Sequence, residues 1–266
     1  MDWFKKLLIT AIWISIAQTL QAQQHYNAWF RGTLSVPVGK KFKIDNEFQH
    51  RRQNGFNNAD MFNRNLMFTY RNWVHYQHNE DVKFSLSPFA YFSHYKIIQK
   101  QSDEVVSPNS EIRFSAAVAL QYEIMKNFYI VDRTAIEYRM FDNNQSDVVR
   151  LRNRFGLRYD FTDKVKLTVF DELLFNLSDV DKHHFFDHNR IGLSLEYIAL
   201  PYLKFDIGYI YITRLPMTST TKLHENNIFL NVTYQLMKRT KTTPIAKRAS
   251  GLRTVRKTTD EKNEGD

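Results

Sequence analysis

Four arginines in one stretch of this sequence are separated by even numbers of residues. Arg150, Arg152 and Arg154 occupy alternate positions, and Arg158 follows four residues later on the same parity. Successive side chains of a strand point to opposite faces, so this spacing places all four guanidinium groups on one wall. A guanidinium binds carboxylates and phosphates through a planar fork of N–H donors. The chemistry indicated is therefore the binding of anionic groups.

Neighbouring segments offer further charges on the same side. These candidate partners are Glu123, Arg133, Glu137, Arg139, Glu172, Arg190 and Glu196. Residues directly opposite on adjacent strands lie about 5 Å apart, so Arg–Glu ladders are geometrically natural. Two interpretations stay open. Paired ladders would fill much of the space that they face, whereas unpaired arginines would line an anion-favouring constriction.

Hydrolytic chemistry has weaker support. Outer-membrane lipid hydrolases use Ser and His on the outer wall of a barrel, oriented by an acid or an amide. Ser93 and His94 are adjacent in sequence, but adjacent strand residues face opposite ways and cannot form a dyad. The sequence has no Gly-x-Ser-x-Gly elbow. We therefore predict no catalytic residues.

Metal and cofactor sites are also not predicted. The segment 181–188 contains three histidines and two aspartates, which could bind Zn²⁺ or Cu²⁺ if the loop converged them. Adjacent His183 and His184 are poor co-ligands on an extended chain, so an ordinary surface loop is expected. The chain has no cysteine and only eight glycines, and no glycine-rich phosphate loop is present. No cofactor is expected.

The elements that must position the charges are eleven segments in which apolar and polar residues alternate. The predicted strands are 25–36, 42–52, 61–74, 82–97, 111–124, 128–141, 148–161, 165–177, 188–198, 203–213 and 224–236. In segment 111–124, Phe114, Val118 and Leu120 share the apolar parity. These strands exceed the five or six residues common in soluble sheets and match the roughly 9–11 tilted residues that cross a bilayer.

Loop lengths and aromatic positions favour the same architecture. Short connections alternate with long ones, as in up-and-down membrane barrels. A belt of aromatics on the apolar parity stands beside the short turns: Tyr122, Phe128, Tyr159, Phe161, Tyr197, Phe205 and Tyr234. We predict an all-β fold, a transmembrane antiparallel up-and-down β-barrel of 10–12 strands. A soluble periplasmic ligand-binding β-barrel is the alternative with the apolar face inside.

An odd count of eleven conflicts with this prediction, because single-chain bacterial barrels have even counts. It would also start the first strand at the outer face. Either residues 23–27 thread the lumen or pair unusually, or one segment is wrong.

The two ends differ from the body. Residues 1–22 resemble a cleavable signal peptide, with Lys5 and Lys6 before an apolar run and small residues near Ala22. Residues 237–266 carry nine Lys/Arg and four Asp/Glu without apolar periodicity, which predicts a basic disordered tail. Of the formal charge of +9, this tail carries 9 − 4 = +5 and residues 23–236 carry only +3, so nucleic acid is not an expected partner of the exported barrel.

Six short motifs carry a family resemblance. They are AWF at 28–30, EFQHR at 47–51, RNRFGLRY at 152–159, DELLFN at 171–176, FDHNRIGL at 186–193 and GY at 208–209. In this order they resemble domain of unknown function family 2490, which implies an outer-membrane barrel of Gram-negative bacteria. The resemblance implies no activity and no catalytic residues. The basic tail departs from the usual pattern, in which barrels end at the last strand.

The function expected from the sequence is passive. It is either a narrow pore or a structural envelope component in the cell outer membrane. The expected partners are outer-membrane lipid, the barrel-assembly machinery and an unidentified envelope complex. An outer-membrane lipid hydrolase remains the alternative in a different class. The presence of a Ser within hydrogen-bond reach of a His would favour it.

Overall fold

The chain folds into one closed β-barrel. The computed structural model describes residues 24–142, 146–180, 184–215 and 222–236. Eleven strands make up the barrel: β1 (Gln24–Val38), β2 (Phe42–Gln53), β3 (Arg64–Gln77), β4 (Val82–His94), β5 (Asn109–Met125), β6 (Phe128–Phe141), β7 (Val148–Thr162), β8 (Val165–Asn176), β9 (Phe186–Leu200), β10 (Leu203–Arg214) and β11 (Leu223–Gln235). A short 3₁₀ helix, Gln101–Val105, lies between β4 and β5. The predicted all-β barrel of 10–12 strands is confirmed.

The direction of the strand pair that closes the barrel follows from the odd number of strands. Each strand pairs antiparallel with its neighbours in sequence, and β1 pairs with β11 in parallel. In an up-and-down meander with an odd number of strands, the first and last run in the same direction, so the closing pair must be parallel. The unusual pairing considered for the N-terminal residues is therefore the one that occurs.

The connections define two rims. Short links at residues 39–41, 78–81, 126–127, 163–164 and 201–202 form the short-turn rim, and the longer loops form the long-loop rim. At the short-turn rim, Asn127 adopts a positive φ of 64°, which Asn tolerates better than most residues. Strand β1 begins at the long-loop rim and β11 ends at the short-turn rim. The predicted signal peptide and basic tail lie outside the described residues.

Three predicted strand ends are wrong by three residues: β3 ends at Gln77 rather than residue 74 at the short-turn rim, and the other two lie at the long-loop rim. Strand β3 begins at Arg64 rather than residue 61, because Asp60 accepts the backbone N–H of Phe62 at 2.9 Å and forms a turn. Strand β4 ends at His94 rather than residue 97. The Gln53 side chain donates a hydrogen bond to the Lys96 carbonyl at 2.8 Å, so this carbonyl is bound by a side chain and the strand ends before it.

The outer wall of the barrel is apolar. Phe114, Leu120 and Leu193 are 43%, 45% and 45% exposed, and Val118 lies on the same face of β5. Buried polar and charged residues lie on the opposite, inward parity. This is the reverse of a soluble protein, in which the apolar face forms the core. Apolar side chains are therefore outside and charged ones inside, as predicted.

Polar residues on the outer wall form hydrogen bonds with one another. Asn153 on β7 donates to Asp132 Oδ2 at 2.8 Å and to Thr134 Oγ1 at 2.9 Å on β6. A similar contact joins Asn72 to the Tyr70 hydroxyl at 2.8 Å. Because a lone polar group in an apolar medium costs several kcal/mol, such pairing lowers the cost of placing these side chains outward.

Glycines let aromatic rings lie flat against the inner wall. A Cβ on Gly192 would collide with the ring of Phe170, and one on Gly208 would collide with the ring of Phe229. Each ring therefore covers the glycine of a neighbouring strand. The rings pack with Trp29, Ile210 and Ile212 in one buried cluster on the inner face of the wall.

The loop that follows β4 docks on the loop that follows β2. Glu104 forms an ion pair with Arg64 at 2.7 Å and accepts the backbone N–H of Phe56 at 2.9 Å. Asp103 is buried under the same loop. The part of the chain that the structure describes contains no helix long and apolar enough to span a membrane.

Candidate functional site: the charged lumen

The inner faces of the strands enclose one long cavity of about 1700 Å³. Its lining extends from Lys41 and His78 at the short-turn rim to Tyr95 and Asp179 at the long-loop rim. Among the described residues, seventeen Lys and Arg and ten Asp and Glu line it, and of these Asp132 turns its side chain to the outer wall. The lumen therefore contains a cavity that reaches both rims and has an excess of positive charge among its lining residues.

Three glutamates organise the arginines of one wall, and Glu137 on β6 is the central one. Its carboxylate lies 2.6 Å from Arg150 Nη2, 3.1 Å from Arg152 Nη1 and 3.3 Å from Arg113 Nη1. The alternation of β6 and β7 brings these side chains together, since Glu137 pairs with Arg150 in register. Glu137 is only 1% exposed, so its charge is compensated entirely by the protein.

Glu172 on β8 repeats the arrangement. It binds Arg152 at 2.7 Å, Arg154 at 3.1 Å and Arg190 at 3.1 Å. Because Arg152 contacts both Glu137 and Glu172, the two hubs are joined across β7.

Glu111 on β5 is the third hub. It lies 2.7 Å from Arg113, 2.9 Å from Arg139 and 2.9 Å from His94 Nε2. The ion-pair belt, defined as Glu111, Glu137 and Glu172 with their six arginines, thus runs from β5 to β9. Three carboxylates are buried behind six guanidinium groups, so the belt presents net positive charge to the lumen.

The remaining predicted site residues have different surroundings. Arg158 pairs with Asp160 at 2.8 Å, and Glu196 pairs with Lys204 at 2.8 Å. Arg133 lines the lumen without a carboxylate within 4.0 Å in the described part of the chain. Glu123 is exposed at the short-turn rim, where it accepts the backbone N–H of Asn127 at 2.9 Å. The hairpin turn, and not the ladder, uses this carboxylate.

Several lumen residues were missed by sequence reasoning. Glu111 and Arg113 share the parity of Glu123 on β5, so the alternation was enough to find them. Arg51 on β2 and Arg71 on β3 also line the cavity. Their proximity to the belt depends on barrel closure, which no local pattern in the sequence reveals.

A Ser–His contact of the kind that would favour a hydrolase is present. Ser85 Oγ lies 2.8 Å from His75 Nδ1, and His75 Nε2 lies 3.1 Å from Asp45 Oδ2. All three side chains point inward, and Lys43 shares the same Asp45 oxygen at 3.0 Å. The described histidines on the outer wall, His50 and His224, contact no serine. The constellation therefore faces the lumen, not the outer wall.

Metal binding finds no support in the described residues. No three His, Cys, Asp or Glu side chains there converge as ligands. Most of the histidine-rich segment 181–188 is described, but residues 181–183 lie outside the described ranges.

Comparison with known proteins gives one family and a structural likeness. The family described as "Protein of unknown function (DUF2490)" matches residues 26–216. No curated protein matches the sequence. A solved structure titled "NanC porin structure in rhombohedral crystal form" is 12% identical with a TM-score of 0.49. The alignment covers 80% of this chain and 99% of that one.

Proposed function

We propose that this chain, which belongs to the DUF2490 family of proteins of unknown function, is a narrow anion-favouring pore in the outer membrane. The observation that carries the proposal is the lumen cavity, which reaches both rims and is lined by more cations than anions. The role is passive: solutes diffuse through a fixed electropositive passage, and no chemical step is required of the protein.

The location is supported by the outer wall. Large apolar side chains such as Phe48, Phe155 and Ile207 are about half exposed or more on the outside of the barrel. In water, this surface would far exceed the apolar patches that soluble monomers tolerate. In a bilayer, hydrocarbon is the favoured solvent for it. A closed barrel also leaves no unpaired strand edge in lipid. A soluble periplasmic barrel would need the opposite orientation of the two faces.

The selectivity is supported by the ion-pair belt. Its glutamates are fully buried, so a solute in the lumen meets the guanidinium groups first. Over a wall of roughly 30 Å, a cavity of 1700 Å³ has a mean cross-section of roughly 55 Å². The cations along this passage raise the local concentration of small anions.

Bilayer recording tests the proposal. The purified full chain is inserted into planar lipid bilayers with a KCl gradient across them. We expect discrete conductance steps and a reversal potential of the sign that chloride selectivity requires. The variant Glu196→Gln removes one anion that lines the lumen and should shift the reversal potential further toward chloride. Absence of any conductance overturns the pore and leaves the structural envelope role, and a cation-selective reversal potential overturns the anion preference.

A further inference from the structure

Two lumen arginines differ from the members of the ion-pair belt. Arg51 on β2 and Arg133 on β6 line the cavity, yet neither has a carboxylate oxygen within 4.0 Å among the described residues. Belt arginines such as Arg150 and Arg152 have two such partners each. A guanidinium that the protein leaves without an anion is the group most ready to take one from solution.

Each of these arginines lies over the ring of a tryptophan. The Arg51 Cζ atom lies 3.6 Å from the ring centroid of Trp29, and the Arg133 Cζ atom lies 5.2 Å from that of Trp73. Both indoles are buried, at 4% exposure. A cation over an aromatic face is held in place by the ring quadrupole, and its N–H groups remain at the edge of the stack. Among the described residues, the Nε of Arg51 has no hydrogen-bond partner, and its Nη2 donates to Gln49 Oε1 at 3.0 Å.

The two positions lie at different depths. Arg51 stands two residues from the end of β2 at the long-loop rim, and Trp29 is its register partner on β1. Arg133 stands five residues from the start of β6 at the short-turn rim.

The position of Arg133, nearer the short-turn rim and called the lower position, contains a second cation. Ala119 is the register partner of both Arg133 and Lys83, so this small side chain is all that separates the two cations across β5. Lys83 also has no carboxylate within 4.0 Å in the described part of the chain. The lower position thus offers two uncompensated cations.

We propose that the lumen holds two oxyanion-binding stations. The upper station is Arg51 with Trp29, and the lower station is Arg133 with Trp73 and Lys83. The ligand chemistry is a small oxyanion that presents two oxygens to one guanidinium fork, as a carboxylate or a phosphate does. The inference rests on the proposed pore for its biological use, but anion binding at the stations does not itself require ion flow.

Tryptophan fluorescence tests the two stations separately. The full chain has four tryptophans, of which Trp3 and Trp13 lie in the predicted signal peptide. Replacing Trp3, Trp13 and Trp29 by Phe leaves Trp73 as reporter of the lower station. Replacing Trp3, Trp13 and Trp73 leaves Trp29 as reporter of the upper one. Each protein in detergent micelles is titrated with sodium phosphate, sodium formate or sodium chloride at constant ionic strength.

We expect a saturable fluorescence change with phosphate or formate and none with chloride. Saturation by only one of the two assigns the station to that anion, and saturation by both assigns it to oxyanions in general. Arg133→Gln should weaken binding at Trp73 roughly tenfold or more and leave Trp29 unaffected. Arg51→Gln should do the reverse. Arg158→Gln, which removes a lumen charge already paired with Asp160, should leave both reporters unchanged.

Two outcomes overturn the assignment. They are an equal response to chloride, and a response that Arg133→Gln or Arg51→Gln leaves intact. Arg133→Lys keeps the charge without the fork and should bind more weakly than the original chain, which provides a test if the Gln variant fails to fold. Saturable binding without conductance would overturn the pore alone. Conductance without saturable binding would overturn the stations alone.

Discussion

Asn27 and Asn227 meet across the parallel seam that closes the barrel. The Asn27 side-chain amide donates to Asn227 Oδ1 at 2.8 Å and to Glu225 Oε2 at 2.8 Å. All three residues are buried on the inner face. Parallel pairing is slightly less stable per residue than antiparallel pairing, so a buried polar contact here fixes a register that the ladder alone fixes weakly.

Loss of this contact should destabilise the barrel at its seam. Asn27→Ala leaves a buried carboxylate and a buried amide without their donor, which costs about 1–3 kcal/mol. Urea unfolding in lipid vesicles measures the loss. Asn231→Ala, which removes a half-buried contact to Asp206 across an antiparallel pair, serves as control and should cost less. Equal losses in the two variants would contradict a special role for the seam.

A charge on the outer wall should be costly in a bilayer. Leu193 lies in the middle of β9 and faces outward. Leu193→Arg should reduce the free energy of unfolding by about 2–4 kcal/mol in phosphocholine bilayers. Leu193→Ala separates the loss of apolar area from the effect of charge. If the Arg and Ala variants unfold alike, hydrocarbon does not contact this wall.

The hub glutamates should matter far more than the peripheral ones. Glu137→Gln removes the shared partner of Arg113, Arg150 and Arg152, and breaking a buried ion pair costs about 3–5 kcal/mol. Glu196→Gln breaks a more exposed pair with Lys204 and should cost at most about 1 kcal/mol. Thermal unfolding in the same detergent compares them. A similar small loss in both variants would mean that the belt contributes little to stability.

Ser85 should not act as a nucleophile. It is 8% exposed, and its backbone lies in the ladder between His75 and Ala117, so no free pair of N–H groups is available there for an oxyanion. A fluorophosphonate probe that labels an active serine hydrolase under the same conditions should leave this protein unlabelled. A covalent adduct at Ser85 that disappears in His75→Ala would instead establish the hydrolase.

Docking of the loop after β4 should depend on pH through Asp103. Burial alone would raise the pKa of its carboxyl, but Lys96 and the backbone N–H groups of Gln99 and Lys100 bind it and lower the pKa below its ordinary value. A group with a lowered folded pKa contributes stability above its unfolded pKa of about 3.9, and that stability is lost as the pH falls through the folded value.

Hydrogen exchange of the Gln99 and Lys100 amides measures this effect. Protection, corrected for the intrinsic exchange rate, should hold at pH 5 and fall below about pH 4. In Asp103→Asn the protection should be lower at pH 5 and independent of pH over this range. An identical pH profile in the two proteins would show that another group controls the loop.

The alternation in the sequence was sufficient to predict most of the barrel. Strand period, strand length and the order of short and long loops are local properties, so they placed Phe114 and Leu193 on one wall and Arg150 and Glu137 on the other. The predicted ends at residues 61 and 97 failed because side chains of Asp60 and Gln53, acting across loops, decide where the ladder stops.

The sequence by itself determined which side chains share a face, because the two-residue period of a strand depends only on neighbouring residues. Only the closed tertiary structure decided how those faces meet. Closure of eleven strands forced the parallel seam and joined Arg152 to two hubs at once. It also left Arg51 and Arg133 without a carboxylate within 4.0 Å in the part of the chain that the structure describes. Compensation of a charge depends on residues distant in the chain, so no local pattern could tell a paired arginine from an unpaired one.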